Sequence, residues 1–265
     1  MKIARAALHF WEEPPISGQN GSGTVFFSGC NLGCVYCQNR QISRSSVGRA
    51  VTPAELAEVF AELEEQGAHN INLVTPTHYA PAIIEAVMLY RRAGGGLPVV
   101  YNTGGYERVE TIRALKGTVD IYLTDLKYAE ADSAARYSFA ADYPQVARAA
   151  LSEMVEAVGA PVLEKGLLHR GVIVRLLVLP TLEHEAMMNL RYLRKTYGDR
   201  IIVSLMNQYT PVGEDLPAEL KEPLPAAAYQ TVVDYARSLD FKIAYIQEGE
   251  TAKESFIPPF CQGEE

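Results

Sequence analysis

Three of the chain's four cysteines, Cys30, Cys34 and Cys37, fall within eight positions at C-x3-C-x2-C spacing, and the fourth, Cys261, lies close to the C-terminus. Thiolates are soft ligands that select iron-sulfur clusters, zinc or copper(I). A closed 4Fe-4S site takes four protein thiolates, so a loop offering three leaves one iron without a protein ligand and open to chemistry. The plainer alternatives are a coincidence of core cysteines and a structural zinc ion. Zinc would want a fourth ligand nearby, more usually from two C-x2-C pairs.

A reactive loop must be delivered by rigid elements, and the hydrophobic periodicity supplies them. Residues 24–28 form a β-branched and aromatic run, read as a buried strand ending at the cysteine loop. A helix follows from Thr52, with Thr52 as N-cap, Pro53 in the first turn, Glu55 closing a capping box, and Gly67 as the stop. Its Leu56, Val59, Phe60 and Leu63 recur at i, i+3, i+4, i+7. The alternation continues with strands over 70–75, 97–101, 119–124, 171–179, 200–206 and 242–246 and helices over 81–92, 107–116, 144–158, 183–197 and 226–239. Six or seven such units with nearly continuous apolar strands imply a parallel sheet covered by helices. A doubly wound sheet and an eightfold barrel share these local patterns; the unit count is short of eight, so a partial, open (β/α)6 barrel is the economical choice. We expect one domain over 1–265, with residues 1–23 as an irregular leader across one end and the proline-rich 207–225 as a loop over the site.

In any of these folds the site lies where parallel strands end. That rule selects Thr75, Thr77 and His78 after the second strand, Asn102 after the third, Lys127 after the fourth, and Asn207 and Tyr209 after the sixth. Arg175 sits inside the apolar run 172–179, where a charge must be paired or reach into the barrel. Glu183-His184-Glu185 opens a helix, but neighbouring helix positions diverge in direction, which favours a capping and surface role over metal binding.

The cysteine loop, read with Gly29 before it, Tyr36 just ahead of the last cysteine and Gln38-Asn39-Arg40 after it, resembles that of the radical S-adenosylmethionine (SAM) superfamily, in the branch of pyruvate formate-lyase activating enzymes and their uncharacterised relatives. The resemblance implies that Cys30, Cys34 and Cys37 are the catalytic cluster ligands of a 4Fe-4S centre. SAM would bind its open iron and be cleaved reductively to methionine and a 5′-deoxyadenosyl radical, which abstracts hydrogen from a substrate. It implies the open barrel too, and a set of SAM contacts. Tyr36 would cover adenine, and Thr124-Asp125-Leu126-Lys127 matches the family's Asp-Leu-Lys segment, whose lysine touches the cofactor. Arg175 matches an arginine on the corresponding strand. Three positions depart from the pattern. Thr75-Pro76-Thr77-His78 replaces a Gly-Gly-Glu segment that binds the amino group of SAM, Asn102 replaces an aspartate, and Asn207 and Tyr209 stand near a histidine. The implied partners are an external electron donor of flavodoxin or ferredoxin type and a glycyl-radical enzyme to be activated. A radical enzyme acting on a small molecule or peptide is the first alternative, and a non-catalytic electron-transfer iron-sulfur protein the second; an open coordination position speaks against the second.

With 265 residues, 48% of them hydrophobic, the chain can bury a substantial core. A net charge of −8 and a pI near 5.3 argue against broad surfaces for nucleic acid or anionic lipid. No stretch of eighteen apolar residues and no signal-peptide core occurs, so a cytoplasmic location is expected, which agrees with thiols kept reduced for metal binding.

Overall fold

The computed structural model describes residues 1–45, 47–212 and 215–247. Cys261 therefore lies outside the described residues. The strands are β1 (Lys2–His9), β2 (Ser22–Phe27), β3 (Arg49–Ala50), β4 (Ile71–Val74), β5 (Val99–Thr103), β6 (Ile121–Asp125), β7 (Val162–Glu164), β8 (Leu167–Leu177), β9 (Ile202–Met206) and β10 (Ala244–Ile246). The helices are α1 (Pro14–Ser17), α2 (Arg40–Ser43), α3 (Pro53–Glu65), α4 (Ala80–Arg92), α5 (Val109–Ala114), α6 (Ala131–Ser138), α7 (Tyr143–Val158), α8 (Glu183–Tyr197) and α9 (Ala226–Ser238).

One sheet runs β10-β9-β8-β6-β5-β4-β2-β1-β3, with β7 hairpinned onto β8. From β2 to β10 every neighbouring pair on this path is parallel, each joined by a crossover through α3, α4, α5, α7, α8 or α9. The outermost strands β10 and β3 do not meet, so the barrel is open, with the six crossovers that the periodicity implied. The start of α3 forms as expected: Glu55 N–H donates to Thr52 Oγ1 at 3.2 Å and Thr52 N–H donates to Glu55 Oε2 at 2.7 Å.

Strand alternation divides the sheet into two faces. The outward set, including Val25, Phe27, Ile71, Leu73, Tyr101, Tyr122, Val174 and Val203, packs beneath the helices. The inward set of Val100, Ile121, Leu123, Ile173 and Ile202 closes around Ile16 of α1, which fills the interior from the N-terminal side. Further along the same inward rows, towards the carboxyl ends, the alternation reaches Asn102, Asp125, Arg175 and Met206. The strand register sets Asp125 directly opposite Arg175.

Residues 1–23 are not irregular. Their first part is β1, antiparallel to β2 in the register Ile3↔Phe27 to His9↔Ser22. β2 is buried throughout, and its free edge would carry unpaired backbone groups; β1 satisfies them. Its single buried apolar residue, Ile3, left no alternating signal to read. α6 was also unforeseen, because a short helix rich in alanine and polar residues has little apolar periodicity.

Candidate active site

The cysteine loop leaves β2 through Gly29, whose φ of +91° suits glycine alone and whose α-carbon faces the His78 ring; a β-carbon there would lie 3.1 Å from His78 Nε2. His78 Nε2 also bonds the Ser28 carbonyl at 2.8 Å, so this histidine holds the entry to the loop. Beyond it, the Val35 N–H donates to the Tyr137 carbonyl at 2.9 Å, and the Arg44 guanidinium donates to the carbonyls of Gly33 and Cys34 at 2.8 and 3.2 Å. The loop is thereby fastened to α6 and to the segment after α2.

Cys34 is buried, whereas Cys30 and Cys37 are half-buried. The Leu32 N–H donates to Cys30 Sγ at 3.4 Å, and Ser138 Oγ–H donates to Cys34 Sγ at 2.9 Å. Burial pushes the Cys30 thiol up to about 11, further raised by the nearby Cys34 and Cys37, and burial raises Cys34 as well. Without a bound cation these thiols therefore keep their protons. Among the described residues no group of three Cys, His, Asp or Glu closes on a single ion. The three cysteines of the loop offer an all-sulfur donor set, which suits an iron-sulfur cluster.

Cys34 and Cys37 open onto a cleft of about 230 Å³ at the carboxyl ends of the parallel strands. Asn102 and Lys127, selected as strand-end residues, line it, as do Tyr36 and Arg175, together with Glu12, Asp125, Gln38 and Gln208. Its floor is an ionic network. Asp125 receives the Lys127 ammonium at 2.6 Å on one oxygen and Arg175 Nε–H at 2.8 Å on the other. Arg175 also donates to Asn102 Oδ1 at 2.6 Å and reaches Glu12 Oε2 at 3.5 Å, while Glu12 Oε1 accepts from Asn72 at 3.0 Å and Asn102 at 3.3 Å. Asn102 thus bridges a cation with its oxygen and an anion with its amide, a double role that an aspartate could not fill. Burial raises the Asp125 carboxyl, but Arg175 and Lys127 outweigh it and hold the group below the ordinary carboxylate range. For Glu12 and Glu13 burial wins over the pull of Arg175, and both carboxyls are raised. Burial lowers Lys127 and Arg175, and the facing carboxylates reverse this and keep both charged.

The remaining sequence candidates lie outside the cleft lining. Thr75 adopts φ of +58°, and its N–H donates to the Asn102 carbonyl at 2.9 Å, which turns the chain sharply after β4. Thr77 donates to the buried Glu107 carboxyl at 2.5 Å, as does Thr103. Burial pushes Glu107 up to about 7. Tyr209 is buried, with its hydroxyl on the Leu220 carbonyl and its ring edge-on to Tyr36 at 6.4 Å. The Asn207 N–H donates to Gln247 Oε1 at 3.1 Å, and the neighbouring Gln208 takes the place at the cleft, its carbonyl accepting from Gln38 at 2.9 Å.

Glu12 is the site residue that sequence reasoning passed over, and Asp125 entered it only within the segment matched to Asp-Leu-Lys. Glu12 stood in the stretch read as an irregular leader, yet Arg175 in an apolar strand demanded an acid, and Asp125 lies opposite it in the register of β6 and β8.

An open parallel barrel with a three-thiol loop at its first parallel strand end and a charged cleft beside it defines a class of cluster-bearing α/β enzymes. The model of the Radical SAM superfamily matches residues 24–191, and the chain belongs to that superfamily. It is 32% identical over 145 residues to an uncharacterized protein of Methanocaldococcus jannaschii, a match that covers 51% of this chain and 41% of that protein. Among solved structures it resembles the FeFe-hydrogenase maturase HydG from Carboxydothermus hydrogenoformans, with TM-score 0.57 and 13% identity over 86% of this chain and 54% of that one. It also resembles SuiB from Streptococcus suis bound to its precursor peptide SuiA, with TM-score 0.56 and 13% identity over 84% of this chain and 47% of that one. At these identities the likeness is one of fold. The family implies SAM and an iron-sulfur cluster as cofactors.

Proposed function

We propose that the chain holds a 4Fe-4S cluster on Cys30, Cys34 and Cys37, binds SAM in the adjoining cleft, and acts as a radical enzyme on a polypeptide, most closely in the manner of a glycyl-radical activase. The observation that carries this reading is the meeting of a three-thiol loop with a strand-end cleft holding two cations and two carboxylates, all partly buried and paired with one another. When bound, the cluster supplies the electron that splits SAM to methionine and a 5′-deoxyadenosyl radical. The chain's own residues bind and orient. Lys127 and Arg175 offer cations for the SAM carboxylate, and Glu12 and Asp125 offer anions for its ammonium group. Glu12 and Asp125 would thus supply the negative charge lost where Thr75-Pro76-Thr77-His78 replaces the Gly-Gly-Glu segment. Tyr36 and Gln38 line the cleft, and Gln208 joins them there, its carbonyl accepting from the Gln38 amide.

A polypeptide substrate is supported by the cleft mouth. Trp11 lines the cleft and is 64% exposed, with Phe10 beside it in sequence at 51%. A large exposed aromatic at the rim of a polar cleft is suited to a side chain or backbone arriving from a partner. SuiB, which shares the fold, binds a precursor peptide, and this favours a second reading in which a peptide is modified. The two separate in one experiment. Anaerobic, reduced and cluster-loaded protein is incubated with SAM and candidate partners; a persistent carbon-centred radical on a partner's glycine supports the activase. Deuterium passing from a labelled peptide into 5′-deoxyadenosine without a protein radical supports peptide modification. Uncoupled 5′-deoxyadenosine with neither outcome would rule out a polypeptide substrate among those offered.

A further inference from the structure

We infer that a buried line of hydroxyl groups, Tyr36–Tyr128–Ser138, ends on the Cys34 sulfur and sets the reduction potential of the cluster held there. The inference rests on the cluster reading above and goes beyond it by assigning a tuning role to three hydroxyl groups that the SAM-binding reading leaves unused.

Three elements meet to make the line. Tyr36 comes from the cysteine loop, Tyr128 from the turn after β6, and Ser138 is the last residue of α6. Tyr36 OH lies 2.8 Å from Tyr128 OH, Tyr128 OH lies 2.6 Å from Ser138 Oγ, and Ser138 Oγ lies 2.9 Å from Cys34 Sγ. All four side chains are at most 9% exposed. Each hydroxyl carries a single proton, and this decides the direction of the line. Ser138 spends its proton on sulfur, so its oxygen must accept from Tyr128; Tyr128 has then spent its own, so its oxygen must accept from Tyr36. Every O–H points towards Cys34, and aligned hydroxyls polarise one another in a low-dielectric interior.

A line of that polarity is matched to a negative sulfur. Three tyrosine and serine hydroxyls directed at a neutral thiol would gain little, whereas directed at a thiolate they form a charge-assisted bond. The local backbone is arranged to deliver it: α6 ends at Ser138 because Phe139 takes the left-handed conformation with φ of +56°, which closes the helix and leaves Ser138 against the cysteine loop. The Tyr137 carbonyl accepts the Val35 N–H at 2.9 Å, so α6 and the loop move as one. Of the three cysteines, Cys34 has this hydroxyl donor; Cys30 has the Leu32 N–H and Cys37 faces Ser43 Oγ at 3.5 Å.

A hydrogen bond to a ligand sulfur withdraws charge and favours the more negative, reduced cluster, so it raises the potential. Removing it makes the one-electron reduction harder. The test is a potentiometric titration of the anaerobically reconstituted full chain, followed by the paramagnetic signal of the reduced cluster, with iron and sulfide content measured on the same samples. Loading of the wild type tests the cluster reading by itself: no cluster in the wild type overturns that reading. Given loading, Ser138→Ala should disfavour reduction about tenfold, a shift of about 59 mV to lower potential for one electron. Ser138→Thr, which retains the hydroxyl, should stay near the wild type. Tyr36→Phe, which leaves the Ser138 bond to sulfur in place, should shift the potential in the same direction by less, and it serves alone if Ser138→Ala does not load. An unchanged potential in loaded Ser138→Ala overturns the tuning role while the cluster reading stands. An unchanged potential in Tyr36→Phe overturns the relay.

Discussion

Replacing Arg175 by methionine keeps much of the side chain's bulk and removes its charge from a site where the side chain is 15% exposed. The guanidinium makes two close bonds, to Asp125 at 2.8 Å and Asn102 at 2.6 Å, and a looser contact to Glu12 at 3.5 Å. Breaking a buried ion pair by removing one partner costs about 3–5 kcal/mol, chiefly through the charge left behind. Lys127 remains 2.6 Å from the other Asp125 oxygen, which places the expected loss at the lower end, about 3 kcal/mol. The deficit should depend on pH, with a definite sign. Burial already raises Glu12 and Glu13 against the pull of Arg175, and without that pull their folded-state values rise further. A raised carboxyl contributes stability below its ordinary value and loses it as pH rises, so the deficit should shrink between about pH 7 and about pH 5. Urea unfolding of the cluster-free chain at both pH values, extrapolated linearly, measures it. A loss below about 1 kcal/mol, typical of an exposed pair, or an equal loss at both pH values would refute the buried-network account.

Three further expectations follow from single residues. Glu107, held neutral by burial up to about 7, contributes stability that is full below the ordinary carboxylate value and fades as pH rises through about 7; Glu107→Gln should flatten that decline in thermal unfolding across the same range. Gly105 has φ of +83° after β5, and a β-carbon there would drive into the Asp125 carbonyl and lie 3.0 Å from Tyr143 OH, so Gly105→Ala should cost at least about 2 kcal/mol in urea unfolding and weaken SAM binding measured by calorimetry. Thr52→Ala removes the hydroxyl half of the α3 capping box while the backbone N–H of residue 52 can still donate to Glu55, and it should cost about 1 kcal/mol without changing SAM binding, since α3 starts away from the cleft.

The alternation of strands and helices was legible because each crossover carries its own apolar period, and α8 was read to its observed bounds from Glu183 to Tyr197. Of the residues that line the cleft, Asn102 and Lys127 followed from the strand ends, Arg175 from a charge inside an apolar strand, and Cys34 and Cys37 from their spacing. What the pattern could not carry was partnership across long sequence separations. β1 exists to cover the edge of β2, and its own residues show no alternation strong enough to announce it. Glu12 reaches the interior because α1 folds beneath it and Arg175 needs an acid, neither of which is a local property. His78, Thr77 and Tyr209 lie at strand ends, but His78 Nε2 and the Thr77 and Tyr209 hydroxyls are already engaged by Ser28, Glu107 and Leu220, and only coordinates reveal such bonds.

The central claim is that Cys30, Cys34 and Cys37 hold an open cluster that cleaves SAM. Its most direct measurement is the release of 5′-deoxyadenosine from anaerobically reconstituted protein given dithionite and SAM, compared between the wild type and Cys34→Ala. The wild type should release it and the variant should not. Equal release by the two proteins, or none from a fully loaded wild type, would contradict the account.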